Sequence, residues 1–208
     1  ALLGRLGNDL DFTTPARPEV VKEILDEWAE TVWDTGIDFG TVSAAYKGQQ
    51  IEITTFRSDS YDGQSRNPEV VYGDTLEGDL VRRDFKANAM AIELLADASF
   101  KFHDPLHGLQ DIADRVLDTP DKPEISFHDD PLRMLRAARF ASQLEFRVAD
   151  RVVEAMRDMA GEIQRITVER VQVELDKLIC GTAPWDGIDL LVSTGIADYI
   201  FPAVSYTH

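Results

Sequence analysis

The sequence predicts an α+β fold: strands and helices together over residues 1–125, followed by an all-helical domain over residues 126–208. Three observations carry this expectation. Residues 9–13 (Asp-Leu-Asp-Phe-Thr) alternate polar and apolar, as a half-buried strand does. Thr41 to Tyr46 and Ile51 to Phe56 are β-rich runs around a Lys47-Gly48 turn, the pattern of a hairpin. Beyond Pro123 the character changes: residues 129–145, 149–160, 167–180 and 185–195 each carry helical periodicity, with no strand candidate between them.

The remaining elements follow in order. Pro18 opens a helix whose apolar residues Val21, Ile24, Leu25, Trp28 and Val32 recur at helical spacing. Ser58 to Asp79 is rich in Asp, Gly, Ser, Asn and Pro and reads as a long loop, which in a compact domain is usually functional or disordered. Residues 80–96 read as a short helix and an apolar segment, and 97–125 as turns with short strands.

Composition narrows the class. With 44% hydrophobic and 28% charged residues, the chain reads as an ordinary globular protein. Its best apolar stretch, Ala87 to Ala96, is interrupted by Asn88 and Glu93 and falls short of the ~20 residues a membrane helix needs. Cys180 is alone, so no disulfide framework and no cysteine zinc site is expected, and the residue reads as a small buried apolar group. With no signal peptide in view, a cytoplasmic address is expected. Ala1 in place of an initiator Met leads to the expectation that the true N-terminus is missing. The net charge of −17 has the wrong sign for a generic nucleic-acid binder. Any RNA contact is expected from local basic clusters or from a region this chain lacks; the two clusters on offer are residues 82–86, and Arg133, Arg136 and Arg139 at every third position.

Asp9 and Asp11 stand two apart on a predicted strand, so both carboxylates leave one face. Such crowding of like charge is tolerated mainly where a divalent cation neutralises it, and Mg²⁺ suits hard oxygen ligands. Glu52, flanked by Ile51 and Ile53, could complete a metal cradle or simply face solvent. His103, His107 and His128 lack metal-ligand spacing and read as structural.

Longer motifs follow one another: Asn8-Asp9-Leu10-Asp11-Phe12, Glu52 in Ile-Glu-Ile-Thr-Thr-Phe-Arg, and Arg82-Arg83-Asp84-Phe85-Lys86-Ala87-Asn88-Ala89. Asp104 to Asp111 (Asp-Pro-Leu-His-Gly-Leu-Gln-Asp), Asp129 to Phe140 (Asp-Asp-Pro-Leu-Arg-Met-Leu-Arg-Ala-Ala-Arg-Phe), Glu169-Arg170 and Glu174-Leu175 complete the series. Together they resemble the bacterial tRNA nucleotidyltransferase (CCA-adding) and poly(A) polymerase family, within the polymerase β-like superfamily. The resemblance implies a nucleotidyltransferase head, a mixed sheet with flanking helices, over 1–125 and an all-helical neck over 126–208. It implies that Asp9 and Asp11 are the catalytic, metal-binding aspartates, with Glu52 near a further acidic position, and that Mg²⁺ is the cofactor. Asp84 and Asn88 match positions associated with the ribose, Asp130 and Arg133 the pair that reads the incoming base, and Arg136 the nucleotide pocket.

Departures from the family pattern accompany these matches. The family's opening glycine turn and Val-Arg-Asp would precede Ala1-Leu2-Leu3-Gly4-Arg5, and its RNA-binding body would follow the neck, so a chain cut short at both ends is expected. Lys86 stands where a small polar residue is common, and Asp129 where Glu is usual.

The residue types suit the implied chemistry. Asp130 and Arg133 are i and i+3 on one expected helix and so would share a face. A carboxylate only accepts and a guanidinium only donates, so the pair could match the amine and ring nitrogen of cytosine or adenine while rejecting uracil and guanine. The plain alternative is a surface salt bridge. The implied reaction is attack by a tRNA 3′-hydroxyl on the α-phosphate of CTP or ATP, driven by positioning and electrostatics. Poly(A) addition to RNA, or a catalytically inactive RNA- or nucleotide-binding fragment, are the alternative readings.

Overall fold

The computed structural model describes residues 2–4, 9–58, 71–73 and 75–201. The chain divides by packing into two compact units, Ala1–Leu80 and Val81–His208.

In the first unit, strands β1 (Asp9–Thr14), β2 (Thr31–Trp33), β3 (Thr41–Tyr46) and β4 (Gln49–Thr55) form a mixed sheet in the order β1-β4-β3-β2. β1 runs parallel to β4, while β4–β3 and β3–β2 are antiparallel. The β3–β4 turn is the expected one: Lys47 and Gly48 both take positive φ, 50° and 76°, as a two-residue primed turn requires. Helix α1 (Pro18–Asp26) begins with proline at its first position and buries Val21 and Leu25 against Val42 and Ala44. It stops earlier than expected. Val32 lies on β2 opposite Ala44, because the chain leaves the helix after Asp26 and joins the sheet through Glu30 N–H to Ala45 C=O. The helical spacing of Leu25, Trp28 and Val32 thus runs across a helix end. Two-residue strands β5 (Arg57–Ser58) and β6 (Val71–Tyr72) pair with each other, and α2 (Leu76–Val81) follows. Most of the expected loop between Ser58 and Asp79 lies outside the described residues.

The second unit begins with a single turn of 3-10 helix at Lys86–Asn88 and a hairpin of β7 (Ala91–Leu94) and β8 (Phe100–His103). Helix α3 (Gly108–Asp114) occupies a stretch expected as turns and short strands. It is nucleated by Asp104, whose carboxylate accepts the N–H groups of Gly108 (2.6 Å) and Leu109 (3.0 Å). Residue 108 must be glycine, since a Cβ there would lie 2.1 Å from the Lys86 carbonyl oxygen.

The helical body comprises α4 (Pro123–Asp129), α5 (Leu132–Leu144), α6 (Asp150–Asp158), α7 (Val168–Ile179), α8 (Pro184–Ser193) and α9 (Ile196–Ile200). Between the helices, β9 (Val116–Leu117) and β10 (Arg147–Val148) pair in parallel, a strand pairing the periodicity did not suggest. Helix α5 is central, with Met134, Leu135, Ala137 and Ala138 buried among Phe127, Val152, Met156, Leu178 and Leu191. Phe85 and Leu117 belong to the same core. That is why residues 81–125 pack with the helices, and why the compact units divide at Leu80/Val81 instead of at 125/126.

Two local expectations are corrected. The helix expected from Asp129 is two helices: Asp130 is extended (φ −142°, ψ 99°) because the following Pro131 disfavours the helical conformation before it. Cys180 is exposed and not buried; it caps the end of α7, two residues past Leu178, which takes the core position.

Candidate active site

In the first unit, register places Asp11 opposite Glu52 and Glu52 opposite Ser43, so the three occupy one face of the sheet. The other face carries Ile51, Ile53, Val42 and Ala44, the last two fully buried. Asp11 is exposed and Glu52 half-buried, accepting a hydrogen bond from Gln50 Nε2 at 3.1 Å. Asp9 is on the same strand, in register with Gln50, and its side chain lies outside the described residues. Among the described residues no three His, Cys, Asp or Glu side chains converge as a metal site. Oxygen donors on adjacent strands facing away from the core are nonetheless the donor type that Mg²⁺ takes.

In the second unit, Asp84 is the hub. Its Oδ1 accepts the Phe85 N–H (2.8 Å) and Asn88 Nδ2 (3.1 Å), and its Oδ2 accepts Arg136 Nε (2.8 Å) and Nη2. Asp84 is buried, whereas Asn88 lies at the surface. Arg136 rests near the Phe140 ring, which meets Phe85 edge-on at 5.7 Å. Like Arg136, whose Nη1 is 3.8 Å from Glu174 Oε1, Arg139 reaches Glu174 and the Phe140 ring. Its guanidinium lies over Phe140 (4.1 Å), and its Nε is 2.7 Å from Glu174 Oε2, an ion pair whose angles fall outside hydrogen-bond geometry. Burial holds the Arg139 pKa below its ordinary value.

The three arginines therefore do not form one stripe. A three-residue step turns about 300° around a helix, so Arg133 and Arg139 stand about 120° apart. Arg133 points to the α4 side, donating from Nη1 to Ser126 Oγ (2.8 Å) and from Nη2 to the Arg82 carbonyl (2.6 Å). Asp130 does not pair with Arg133 across a helix face as expected. It accepts the Leu132 N–H at 3.1 Å, heading α5, and pairs with Arg170 at 2.9 Å. Both residues nevertheless stand at the start of α5 with hydrogen-bonding capacity left, since a carboxylate offers about four acceptor sites and a guanidinium five donors.

Sequence reasoning gave two groups no role. Asp118 binds Lys86 (2.6 Å) and Arg151 (2.7 Å), and Arg151 also donates to the carbonyls of Thr119 and Asp121. Burial would raise the Asp118 carboxyl, but the Arg151 and Lys86 hydrogen bonds outweigh it and hold the pKa below its ordinary value. Glu174, the other, is buried on α7; a glutamate at the helix position otherwise filled by core residues, four before Leu178, was the available signal. His103 pairs with Glu93 on the hairpin, a structural role.

A family model described as "Poly A polymerase head domain" matches residues 1–118. The chain belongs to the poly A polymerase head-domain family. A second model, "Probable RNA and SrmB- binding site of polymerase A", matches residues 145–207. The CCA-adding enzyme of Listeria innocua is 40% identical over 200 residues, 96% of this chain and 49% of that protein. That of Levilactobacillus brevis is 41% identical over 199 residues, 95% of this chain and 48% of that protein. The crystal structure of the Bacillus stearothermophilus CCA-adding enzyme in complex with CTP superposes with a TM-score of 0.83 at 36% identity, covering 96% of this chain and 46% of that one. The Thermotoga maritima CCA-adding enzyme complexed with tRNA gives 0.75 at 28% identity, covering 97% and 45%. The chain spans about half the length of the curated relatives it matches. The mixed-sheet head followed by helices is a fold shared with these CCA-adding enzymes. No described helix is long and apolar enough to cross a membrane.

Proposed function

We propose that this chain carries the nucleotide-selecting and nucleotidyl-transfer part of a cytoplasmic enzyme that adds C and A from CTP and ATP to the 3′ end of tRNA. The observation that carries the reading is similarity over 96% of the chain to CCA-adding enzymes, one of them solved with CTP.

In this reading Asp9 and Asp11, with Glu52 beside Asp11, hold Mg²⁺, which supplies neutralising charge for the attacking hydroxyl and the leaving pyrophosphate. Asp130 accepts the exocyclic amine of cytosine or adenine, and Arg133 donates to the neighbouring ring nitrogen. Ser126 and the Arg82 carbonyl anchor the Arg133 guanidinium, so it meets the base already oriented. Asp84 and Asn88 receive the sugar hydroxyl, and Arg136 completes the pocket. Preorganised donors and acceptors are the main resource for phosphoryl-type transfer, which needs no covalent nucleophile.

The test incubates the protein with Mg²⁺, CTP, ATP and a tRNA lacking its 3′ CCA. Extension by C, C and A that stops on chelation of the metal is expected; binding without extension would refute the transferase assignment. The head-domain description favours a second reading, poly(A) addition, which open-ended addition of A to unrelated RNA would reveal.

A further inference from the structure

Asp84 has no spare acceptor. A carboxylate offers about four lone-pair positions, and here the Phe85 N–H, Asn88 and two Arg136 N–H groups occupy them. A sugar hydroxyl can reach this carboxylate only by displacing one of these four. The two oxygens are not equally held. Oδ2 takes both charge-assisted contacts from one planar guanidinium, the stronger kind of hydrogen bond. Oδ1 takes a backbone N–H and the neutral Asn88 amide, whose 3.1 Å contact is the longest and comes from an exposed residue. The exchangeable contact is therefore Asn88 to Oδ1. A hydroxyl inserted there can donate to Asp84 and accept from Asn88, satisfying both.

This arrangement works only while Arg136 keeps Oδ2 occupied and the carboxylate plane unrotated. What holds Arg136 is on α7. Its Nη1 is 3.8 Å from Glu174 Oε1, and the other Glu174 oxygen pairs with Arg139. The side chains of Asp84, Glu174 and Arg139 are 9%, 6% and 11% exposed. The order Asp84, Arg136, Glu174, Arg139 is thus a chain of alternating charge, each member facing an opposite sign, joining the 84–88 segment to α5 and α7. Arg136 is 32% exposed, so three of the four charges are buried; burying them brings little net stability compared with apolar packing, and their retention points to orientation.

We infer that Glu174 is a positioning residue for sugar selection: through Arg136 it fixes Asp84 so that only Oδ1, beside Asn88, is open to a ribose hydroxyl. The inference rests on the reading that Asp84 and Asn88 meet the sugar. Glu174→Gln keeps the shape and removes the charge. Arg136 then loses its second anchor, and Asp84 is free to turn.

Dissociation constants for CTP and 2′-deoxy-CTP, measured in Mg²⁺ for the wild type and the variants, test this. For Glu174→Gln, binding of CTP weakens roughly tenfold, the size of one well-placed hydrogen bond, while binding of 2′-deoxy-CTP stays within about twofold. Arg136→Lys, which cannot hold Oδ2 with a two-point fork, gives the same loss of ribose preference. Adding Glu174→Gln to it changes the ribose-to-deoxyribose ratio no further. If Glu174→Gln does not fold, Arg136→Lys alone carries the expectation. Equal weakening of both nucleotides with a lower melting temperature makes the ion-pair chain merely structural and overturns the inference. A wild type that binds both nucleotides equally overturns the sugar reading and the inference together.

Discussion

Replacing Arg133 by alanine separates the job the structure gives this residue from the one the proposed function gives it. Its guanidinium donates to Ser126 Oγ at 2.8 Å and to the Arg82 carbonyl at 2.6 Å, tying α5 to α4 and to the segment before Asp84. Hydrogen bonds to a charged group contribute about 1.5–3 kcal/mol, and the released carbonyl regains water only in part. A stability loss of about 2 kcal/mol follows, or roughly 4–8 °C in melting temperature for a chain of this size. In the proposed function the same guanidinium is the donor that meets the ring nitrogen of cytosine or adenine. Its loss should cost a further ~1–3 kcal/mol of discrimination, some 5- to 150-fold in the preference for CTP and ATP over UTP and GTP. Single-turnover incorporation of each nucleotide, alongside a thermal melt, reads both quantities. Ser126→Ala is the control: it removes one anchor but leaves the donor, so the melt should shift while most of the base preference survives. An Arg133→Ala protein that melts early yet still selects C and A would refute the base-reading role and leave only the structural one.

Asp11→Asn, exposed on the polar sheet face in register with Glu52, should abolish Mg²⁺-dependent addition with almost no change in melting temperature; near-normal turnover would remove Asp11 from the metal site. Gly187→Ala would put a Cβ 2.6 Å from the Ala138 carbonyl oxygen, where α8 crosses α5, and should destabilise by about 1–3 kcal/mol through overpacking, read by denaturant unfolding. For Asp118 the folded pKa is lowered, so its stabilising contribution is complete above the unfolded carboxylate pKa of about 3.9 and is lost as pH falls through the folded value. Asp118→Asn should accordingly flatten the acid limb of the stability profile below about pH 4, and an unaltered limb would show that Arg151 and Lys86 do not stabilise the ionised form. Arg139→Gln should leave the salt dependence of RNA binding unchanged, because Arg139 is paired with Glu174 inside the protein; a slope smaller by about 0.7–0.9 would mean that it contacts a phosphate.

The parts of the fold that could be read from the sequence are those that local chemistry decides. Lys47-Gly48 announces its turn because glycine tolerates the positive φ, and α6, α7 and α8 follow their periodicity to within a few residues. Where a local pattern was trusted across a break, the reading failed. Leu25, Trp28 and Val32 keep helical spacing across the end of α1, and Asp130 and Arg133 keep it across the Pro131 break. In the second case the cue was present, since a residue before proline avoids the helical conformation. Helix α3 was legible in principle from the four-residue spacing of Asp104 and Gly108, which sets a carboxylate over the first free N–H groups. Partner choice was not legible at all. Arg139 and Glu174 are far apart in the chain, and only the packing of α5 on α7 brings them together.

That pairing changes the meaning of the basic clusters. Read as composition, Arg133, Arg136 and Arg139 were the exceptions in an acidic chain and the natural candidates for holding a phosphate backbone. Each instead has an internal assignment: Arg133 to Ser126 and a carbonyl, Arg136 to Asp84, Arg139 to Glu174. Lys86, in the other cluster, pairs with Asp118, and Arg170 pairs with Asp130. A cation already neutralised by a buried carboxylate releases few counterions on meeting RNA and adds little affinity. What it does provide is a fixed direction for its unused N–H groups, which suits selection of a small ligand better than capture of a polymer. In the proposed function the arginines of α5 shape a nucleotide pocket, and the residues that hold the RNA are to be sought elsewhere than on this helix.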